Sequence, residues 1–486
     1  MAELEHWLRL TPVAAGSTLV LVLGLLLANV FTAFALGTLA ANWIGAFAIG
    51  VFVGLDNWWP GITPQMRLLL VTGFLGGLTT FSGFSLEIIA MLQEQRYVTA
   101  LMTAALHLAQ RGLDVVVVEA HRMGFGASGR NGGQVGTGQR QDQDWLEKAL
   151  GRDHARRLWD LSQEAVSMVR SLIADYAMPC TFHEGIAHAC RTAAEVAHAH
   201  DYAEKLARDY GYDRIEPLDR DGLQAILPSP AYVGGDLDRG AGHVHPLNYA
   251  LGLAQAAARA GARLYETSPV HRIQHGARPV VQTDMGRVEC DHVILACNGY
   301  LGGLDEHVAA RVMPINNFIV ATEPLGPRAA EVLRQNVAVA DTKFVVNYWR
   351  LSEDNRLLFG GGESYGYRFP DIVRTVRKPM LEVYPHLADT RIDYAWGGTL
   401  AITLNRMPCF ARPAPNVLSA SGYSGHGVAL ATLAGRLLAE ATAGQAERFD
   451  VMASLPTRRF PGGPALRWPL LALAMTWYSL RDRLGV

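Results

Sequence analysis

Three stretches of this chain hold residues from which chemistry can be built. The first is Val115–Glu119, VVVVE, an apolar run that ends in a carboxylate. At the end of a buried parallel strand such an acid takes the ribose hydroxyls of a bound dinucleotide. The plainer alternative is a solvated strand-end carboxylate. The second stretch is Gly124–Gly133, GFGASGRNGG. Its glycines let the backbone close on a ligand, and its successive N–H groups can form an anion-binding nest. Arg130, Asn131, Gly132 and Gly133 are the candidate contacts. The third stretch is NVLSASGYSGHGVALATLAGRLLAEAT from Asn416. Here a strand runs into Gly422–Gly427 and a helix begins near Val428. A helix N-terminus carries partial positive charge, so Gly425, Gly427 and Val428 can face the negative charge of a reduced redox ring. A simple strand–turn–helix is the competing reading. His426, inside that turn, is a candidate for proton transfer and equally a structural residue. Tyr423 and Trp396, with Tyr348, Trp349 and Tyr365, suit an amine through cation–π contact before it loses its proton, or serve as core packing.

These stretches need elements to hold them. AALHLAQRG from Ala104 reads as an amphipathic helix ending in the C-cap pair Arg111–Gly112. LDVVVVEA follows as a buried parallel strand. GARLYETSPVHRI, RVECDHVILACNGYLG, NRLLFGGG, FIVATEPL and FVVNYWRL supply further strands, and GRDHARRLWDLSQEAVSMVRSLIADY reads as helix. A dinucleotide-binding unit also requires a strand, a GxGxxG turn and then a helix. No stretch of the chain fits that order. GFLGGL at Gly73 lies too far upstream, and GYSGHG has no second parallel strand after it. The phosphate cradle and the central strand of the sheet are therefore expected to be missing.

The front of the chain has a different character. No charged residue occurs from Leu10 to Leu55, enough for two membrane helices at roughly 20 residues each. A second uncharged run, Leu68–Leu86, suffices for one span; a buried core helix is the alternative. Val98–Gln110 is too short to cross. TLAAN, ending at Asn42, puts an amide at membrane depth, where amides face a partner or a conduction path. GFLGGLTTFSGFS, Gly73–Ser85, combines glycines, threonines and phenylalanines. Such a run permits a helix break whose freed carbonyls can hold an ion, or ordinary small-residue packing.

Bulk properties narrow the field. Lys and Arg number 43 and Asp and Glu 45, a net charge near −2 that predicts no bulk attraction to nucleic acid or to an anionic membrane. The five cysteines form no CxxC pair and suit free thiols in a reducing compartment. Glu3 and Glu5 spoil a basic signal-peptide start.

Two resemblances follow from the quoted motifs. GTLAANWIGAF and GFLGGLTTFSGFSLE resemble the Fluc-type bacterial fluoride channels over residues 35 to 109. That resemblance implies a fluoride path along Asn42, Phe81 and Phe84, a sodium ion held by the carbonyls of Gly76 and Thr79, and assembly as an antiparallel homodimer. The glycine cluster and arginine of that family's first helix are absent, and its fourth helix runs here into QRGLDVVVVEA. From Ala104 onward, ASGRNGG, WGGTLAITLNRMPCF, GHVHPLNYALGLAQAA and the tail LPTRRFPGGPALRWPLLALAMTWYSLRDRLG resemble the FAD-dependent, D-amino-acid-oxidase-like oxidoreductases, on the side of the γ-glutamylputrescine oxidases.

The second resemblance implies FAD held by Glu119, Arg130–Gly133 and the Gly425–Val428 turn. It implies oxidation of a small amine: hydride leaves the carbon beside nitrogen, the imine hydrolyses to aldehyde and ammonia, and O2 is reduced to peroxide. Cys409 and His245 are residue types able to carry a covalent flavin, with nothing further in the sequence to support either. The expected architecture is a membrane all-α N-terminal segment (1–103), then a Rossmann-like α/β FAD-binding domain without its first strand and GxGxxG turn (104–141, 241–305 and 396–486), with an α+β substrate domain (142–240 and 306–395). The oxidoreductase part is expected on the cytoplasmic side of the cell membrane. TAALHLA suits both families, and the chain reads as a fusion joined inside that helix. An amine oxidase on a membrane tether, a channel carrying a passenger domain, and an inactive hybrid are the competing outcomes.

Overall fold

The computed structural model describes residues 99–343, 345–364 and 369–463, all within a compact unit that begins at Gln95. The uncharged runs before it, with Asn42, Gly76, Thr79, Phe81 and Phe84, lie outside the described residues, as do Tyr365 and the tail from Ala465. Among the described residues no helix is long and apolar enough to cross a membrane.

The helix Thr99–Gln110 includes Thr99–Thr103 as well as the AALHLAQ stretch, and buries Met102, Ala104, Ala105, Leu106 and Leu108. It ends where Arg111 N–H bonds to the Leu108 carbonyl and Gly112 takes φ +80°, a left-handed stop that suits glycine. Its partner is the helix Gly427–Thr442, nearly all of which is buried. The two backbones touch at Gly435: a Cβ there would lie 2.5 Å from the Ala100 carbonyl oxygen and 2.6 Å from Thr103 Cβ. The long helix Arg152–Asp175 joins the same core through Leu158, Leu161, Ala165, Val169 and Leu172, a stripe at helical spacing.

The strands beneath these helices form two separate parallel pieces. Val116–Val118 pairs with Arg263–Tyr265. Val293–Leu295 pairs with Val417–Ser421, which continues antiparallel to Cys409–Ala414. Among the described residues no ladder joins the two pieces. They meet instead through apolar contact, Val118 packing on the cluster that holds Val293 and Leu295.

The second layer is a nine-stranded sheet. Its order is Ile392–Ile402, Met313–Thr322, Leu357–Ser364, Tyr348–Leu351, Ala338–Asp341, His183–Cys190, Gly234–His243 and Gln134–Val135, with Ile215–Leu218 branching off Gly234–His243. Only the pair Ala338–Asp341 with His183–Cys190 is parallel. One face is closed by a core of Phe318, Trp349, Phe359, Met380 and Tyr384. The other face meets the Gly124–Gly133 loop.

The helix contact at Gly435 leaves no room for a side chain. Gly435→Leu must wedge the two backbones apart, and overpacking of this kind costs about 1–3 kcal/mol. The expected outcome is a melting temperature several degrees lower by tryptophan fluorescence; an unchanged melt would show that the two helices do not pack this way.

Candidate functional site

The Gly124–Gly133 loop is tied down along its length. Within it, Asn131 Nδ2 donates to the carbonyls of Ala127 (2.8 Å) and Ser128 (2.9 Å), and its Oδ1 accepts from Gly133 N–H at 2.7 Å. The Arg130 guanidinium lies 4.2 Å over the Phe125 ring. Four bonds anchor the region to the nine-stranded sheet. Trp396 Nε1 donates to the Arg130 carbonyl (3.1 Å), and Arg130 donates to the Gly397 carbonyl (3.3 Å). Arg350 Nε donates to the Gly132 carbonyl (2.7 Å), and Gln134 Nε2 to the Val339 carbonyl (2.8 Å). The loop also reaches the first described helix, where Thr99 N–H donates to Ser128 Oγ at 2.9 Å.

Between loop and sheet lies a small pocket, lined among others by Asn131, Gly132, Gln134, Tyr348, Arg350 and Trp396. Tyr348 is held over it by its hydroxyl, which donates to Asn317 Oδ1 at 2.5 Å. Its ring presses on Gly132 and Gly360, and a Cβ on Gly132 would stand 2.8 Å from the ring. Glycine is required there by close approach, not by backbone conformation.

Beyond the loop, the helix Gly427–Thr442 starts with no side-chain cap. The first N–H groups of any helix lack intrahelical partners, so Gly427 and Val428 present an open, positive helix end. His426 precedes it, with its ring beside Gly136: a Cβ on Gly136 would be 2.7 Å from His426 Nε2. Burial, with Arg140 and His188 nearby, holds this imidazole down to about 3, so it is neutral at physiological pH. Its Nδ1 meets no hydrogen-bond partner. Tyr423 is placed differently: it is buried in the helix core with its hydroxyl on the Ala420 carbonyl at 3.2 Å. Glu119 sits fully buried at its strand end, its carboxylate accepting from His121 N–H at 2.9 Å. Trp349 points to the opposite face of the sheet, donating to Tyr384 at 2.9 Å and stacking on Phe359. Cys409 is buried in the apolar cluster with Val312 and Ala401, and His245 caps the helix Pro246–Arg259 by accepting from Asn248 N–H.

The structure thus brings Asn131, Gly132, Trp396 and Tyr348 to one pocket, with Arg130 and Gly133 flanking it in the loop, and His426, Gly427 and Val428 to one helix end. It also reveals polar residues not singled out from sequence. Arg350 is buried, and burial pushes its guanidinium down to about 10, with Glu353 opposing. His188 Nδ1 bonds to Asp236 Oδ1 at 2.7 Å. Burial disfavours its charged form, and the Asp236 carboxylate outweighs that, raising the imidazole to about 9. Arg140 Nε donates to the Ser424 carbonyl at 3.2 Å. The signal for the first pair was a polar residue inside an otherwise apolar strand, AHAC and GGDLD.

For FAD the fit is partial. The glycine-lined loop and the uncapped helix end match a flat ring with an electron-rich edge. Among the described residues no glycine turn is available for a pyrophosphate.

Comparison with known proteins follows the same division. Residues 102–441 match the family profile described as FAD dependent oxidoreductase, and residues 11–118 match that of CrcB-like protein, Camphor Resistance (CrcB). The γ-glutamylputrescine oxidoreductase of Escherichia coli (strain K12) is 44% identical over 388 residues, which is 79% of this chain and 91% of that protein. A probable oxidoreductase of Rhizobium meliloti (strain 1021) is 42% identical over 384 residues, 79% and 90% of the two chains. A fluoride-specific ion channel of Albidiferax ferrireducens is 59% identical over 49 residues; the match spans 10% of this chain and only 38% of the channel. Among solved structures, glycine oxidase from Geobacillus kaustophilus superposes with a TM-score of 0.64 at 21% identity, covering 76% of this chain and 100% of the other. L-proline dehydrogenase from P. horikoshii gives 0.60 at 20%, covering 72% and 93%.

The His188–Asp236 pair has a measurable signature. A histidine raised to about 9 contributes stability that is fully present below the unfolded value near 6.5 and is lost as pH rises through 9. The His188 ring should titrate near pH 9 by NMR and fall toward 6.5 in Asp236→Asn. A wild-type midpoint at or below 6.5 would mean the carboxylate does not govern the ring.

Proposed function

Because this chain belongs, through residues 102–441, to the FAD-dependent oxidoreductases, we propose that it oxidises the primary amine of a small, γ-glutamylputrescine-like substrate, with O2 as electron acceptor. One observation supports this reading above the others: the uncapped N-terminus of the Gly427–Thr442 helix, whose preceding His426 packs on Gly136 just after the glycine loop. Bound FAD supplies the hydride acceptor. Everything else falls to the protein. Glu119 takes ribose hydroxyls, Gly132 and Gly133 keep the backbone within reach of the ring, and Gly427 and Val428 N–H groups face its electron-rich edge. Tyr348 and Trp396 bound the amine on the sheet side and exclude water, favouring the uncharged amine that oxidation requires. His426, neutral and with Nδ1 unengaged, has the state needed to accept the amine proton.

The CrcB-like segment supports a second reading for the front of the chain. There Asn42, Phe81 and Phe84 line a fluoride path, the carbonyls of Gly76 and Thr79 hold sodium, two copies pair through the segment, and the oxidoreductase part stays at the cytoplasmic side of the cell membrane.

Each reading has its own test. The purified chain should be yellow and, given an acylated diamine and oxygen, should release aldehyde and peroxide in equal amounts. A folded, colourless protein that takes up no FAD would overturn the first reading. Glu119→Ala should weaken FAD binding at least tenfold, the loss expected when a charged hydrogen-bond acceptor is removed. Vesicles holding the chain should lose fluoride, and Asn42→Ala should stop the loss; no flux from wild type would end the second reading.

A further inference from the structure

The turn that leads into the Gly427–Thr442 helix is tightly wound. Gly422, Ser424 and Gly425 all lie in the left-handed region, at φ +73°, +50° and +97°. Ser424 alone of the three carries a side chain, which makes that backbone conformation costly. A set of short-range bonds holds it. Ser424 N–H donates to the Ala401 carbonyl at 3.0 Å. Its Oγ donates to the Gly422 carbonyl at 3.1 Å and accepts from Thr403 N–H at 3.4 Å. Upstream, Gly422 N–H donates to Asn298 Oδ1 at 2.9 Å. Downstream, His426 N–H donates to the Tyr423 carbonyl at 3.0 Å.

The Ser424 carbonyl has a single partner among the described residues, Arg140 Nε at 3.2 Å. That bond decides the direction of a whole peptide unit. In a trans peptide the N–H of the next residue points opposite to the carbonyl, so Gly425 N–H is turned away from Arg140. It meets no acceptor among the described residues. Gly425 does not itself choose this orientation. It is exposed, and a Cβ on it would meet nothing within 4 Å. Half a turn of the peptide would carry its φ from +97° to about −83°, and glycine accepts both. In the turned-over form a carbonyl oxygen would replace the N–H just ahead of Gly427 and Val428.

Arg140 is fixed for this contact. The glutamines on either side anchor its backbone: Gln139 Nε2 donates to the Leu158 carbonyl and Gln141 Nε2 to the Asn405 carbonyl, each at 2.9 Å. The surroundings do not reward its charge. Burial, and after it the neighbouring Arg406, pushes the guanidinium pKa down, with Glu363 opposing. What the side chain brings to Ser424 is a donor of fixed reach, as Arg350 does at the Gly132 carbonyl.

We propose that Arg140 is a positioning residue. By holding the Ser424 carbonyl it fixes the Ser424–Gly425 peptide in one orientation and turns the Gly425 N–H outward, so that it joins those of Gly427 and Val428 as a third donor. This rests on the reading above, in which that helix end faces the electron-rich edge of the bound ring.

The test separates the donor from the charge. Glutamine carries its Nε2 on Cδ, the carbon that bears Nε in arginine, so Arg140→Gln keeps the donor and drops the charge. Arg140→Met drops both. In the full-length, FAD-loaded chain the readout is sulfite, which adds to the oxidised flavin, bleaches its visible absorbance and leaves the ring anionic. Sulfite Kd should rise at least tenfold in Arg140→Met and stay within threefold of wild type in Arg140→Gln. Gly425→Ala, which has room for its methyl group but disfavours φ +97°, should weaken sulfite as Arg140→Met does, and serves if Arg140→Met does not fold. Equal weakening in Arg140→Gln and Arg140→Met would assign the effect to charge and overturn the proposal, as would an unchanged Kd in Arg140→Met. If the chain takes up no FAD, the reading of the helix end fails and the peptide is still decided by crystal structures of wild type and Arg140→Met. A Ser424 carbonyl reversed or split between two orientations in Arg140→Met upholds the positioning role; the wild-type orientation retained there overturns it.

Discussion

The oxidoreductase part depends on one constraint: a glycine-rich loop must lie flat between a sheet face and a helix end without a side chain of its own filling the space. Arg350 enforces this. Its guanidinium is buried and donates to backbone carbonyls, to Gly132 at 2.7 Å and Leu351 at 3.1 Å. Burying a cation on neutral acceptors is costly, and the downward push on its pKa to about 10 is the trace of that cost. In return the loop backbone is fixed at its midpoint, with Trp396 holding the Arg130 carbonyl on one side and Gln134 reaching Val339 on the other. The cavity exists because these bonds set the gap and Tyr348 shapes one wall.

The split sheet shows what a fold tolerates. Its two parallel pieces share no ladder among the described residues, so hydrogen bonding does not carry the registry between them. Packing does. The Thr99–Gln110 and Gly427–Thr442 helices press together at Gly435, and each is connected to a different piece of the sheet. The two family matches overlap over residues 102–118. That overlap takes in most of the helix, whose composition (chiefly alanine, leucine, threonine and methionine) is acceptable both to lipid and to a protein core. A seam placed in a helix of this kind disturbs neither neighbour's local propensity.

Much of this was legible in the sequence. VVVVE, ASGRNGG and GYSGHG each carry a local rule, strand burial, close backbone approach or strand–turn–helix, and each rule acts within a few residues. The structure puts the strands and the helix turn where those rules place them. The alignment of Asp236, His188, Tyr348 and Trp396 across the nine-stranded sheet was not legible, because it exists only through the register of seven strands drawn from residues separated by up to 208 positions along the chain. Tyr423 illustrates the converse. Its position in the turn suggested a substrate contact, but its own carbonyl partner three residues back turns it into the core. An aromatic beside a functional glycine turn has two directions available, and only packing chooses between them.

The charges complete the picture. Along the path from helix end to sheet stand an uncapped helix N-terminus, Arg140 and an imidazole raised by Asp236. Each favours negative charge, yet the reacting amine must arrive as a cation and react uncharged. Arrangement resolves the conflict. The Tyr348–Trp396 cavity is lined mainly by aromatic rings and glycine, and the Arg350 that also lines it is bonded to the Gly132 and Leu351 carbonyls. Desolvation beside the aromatic rings lowers the affinity of an amine there for a proton. His426 is kept uncharged first by its own burial, with Arg140 and His188 acting in the same direction. Burial of the imidazole and the low polarity of the aromatic wall thus act in one direction, toward uncharged groups.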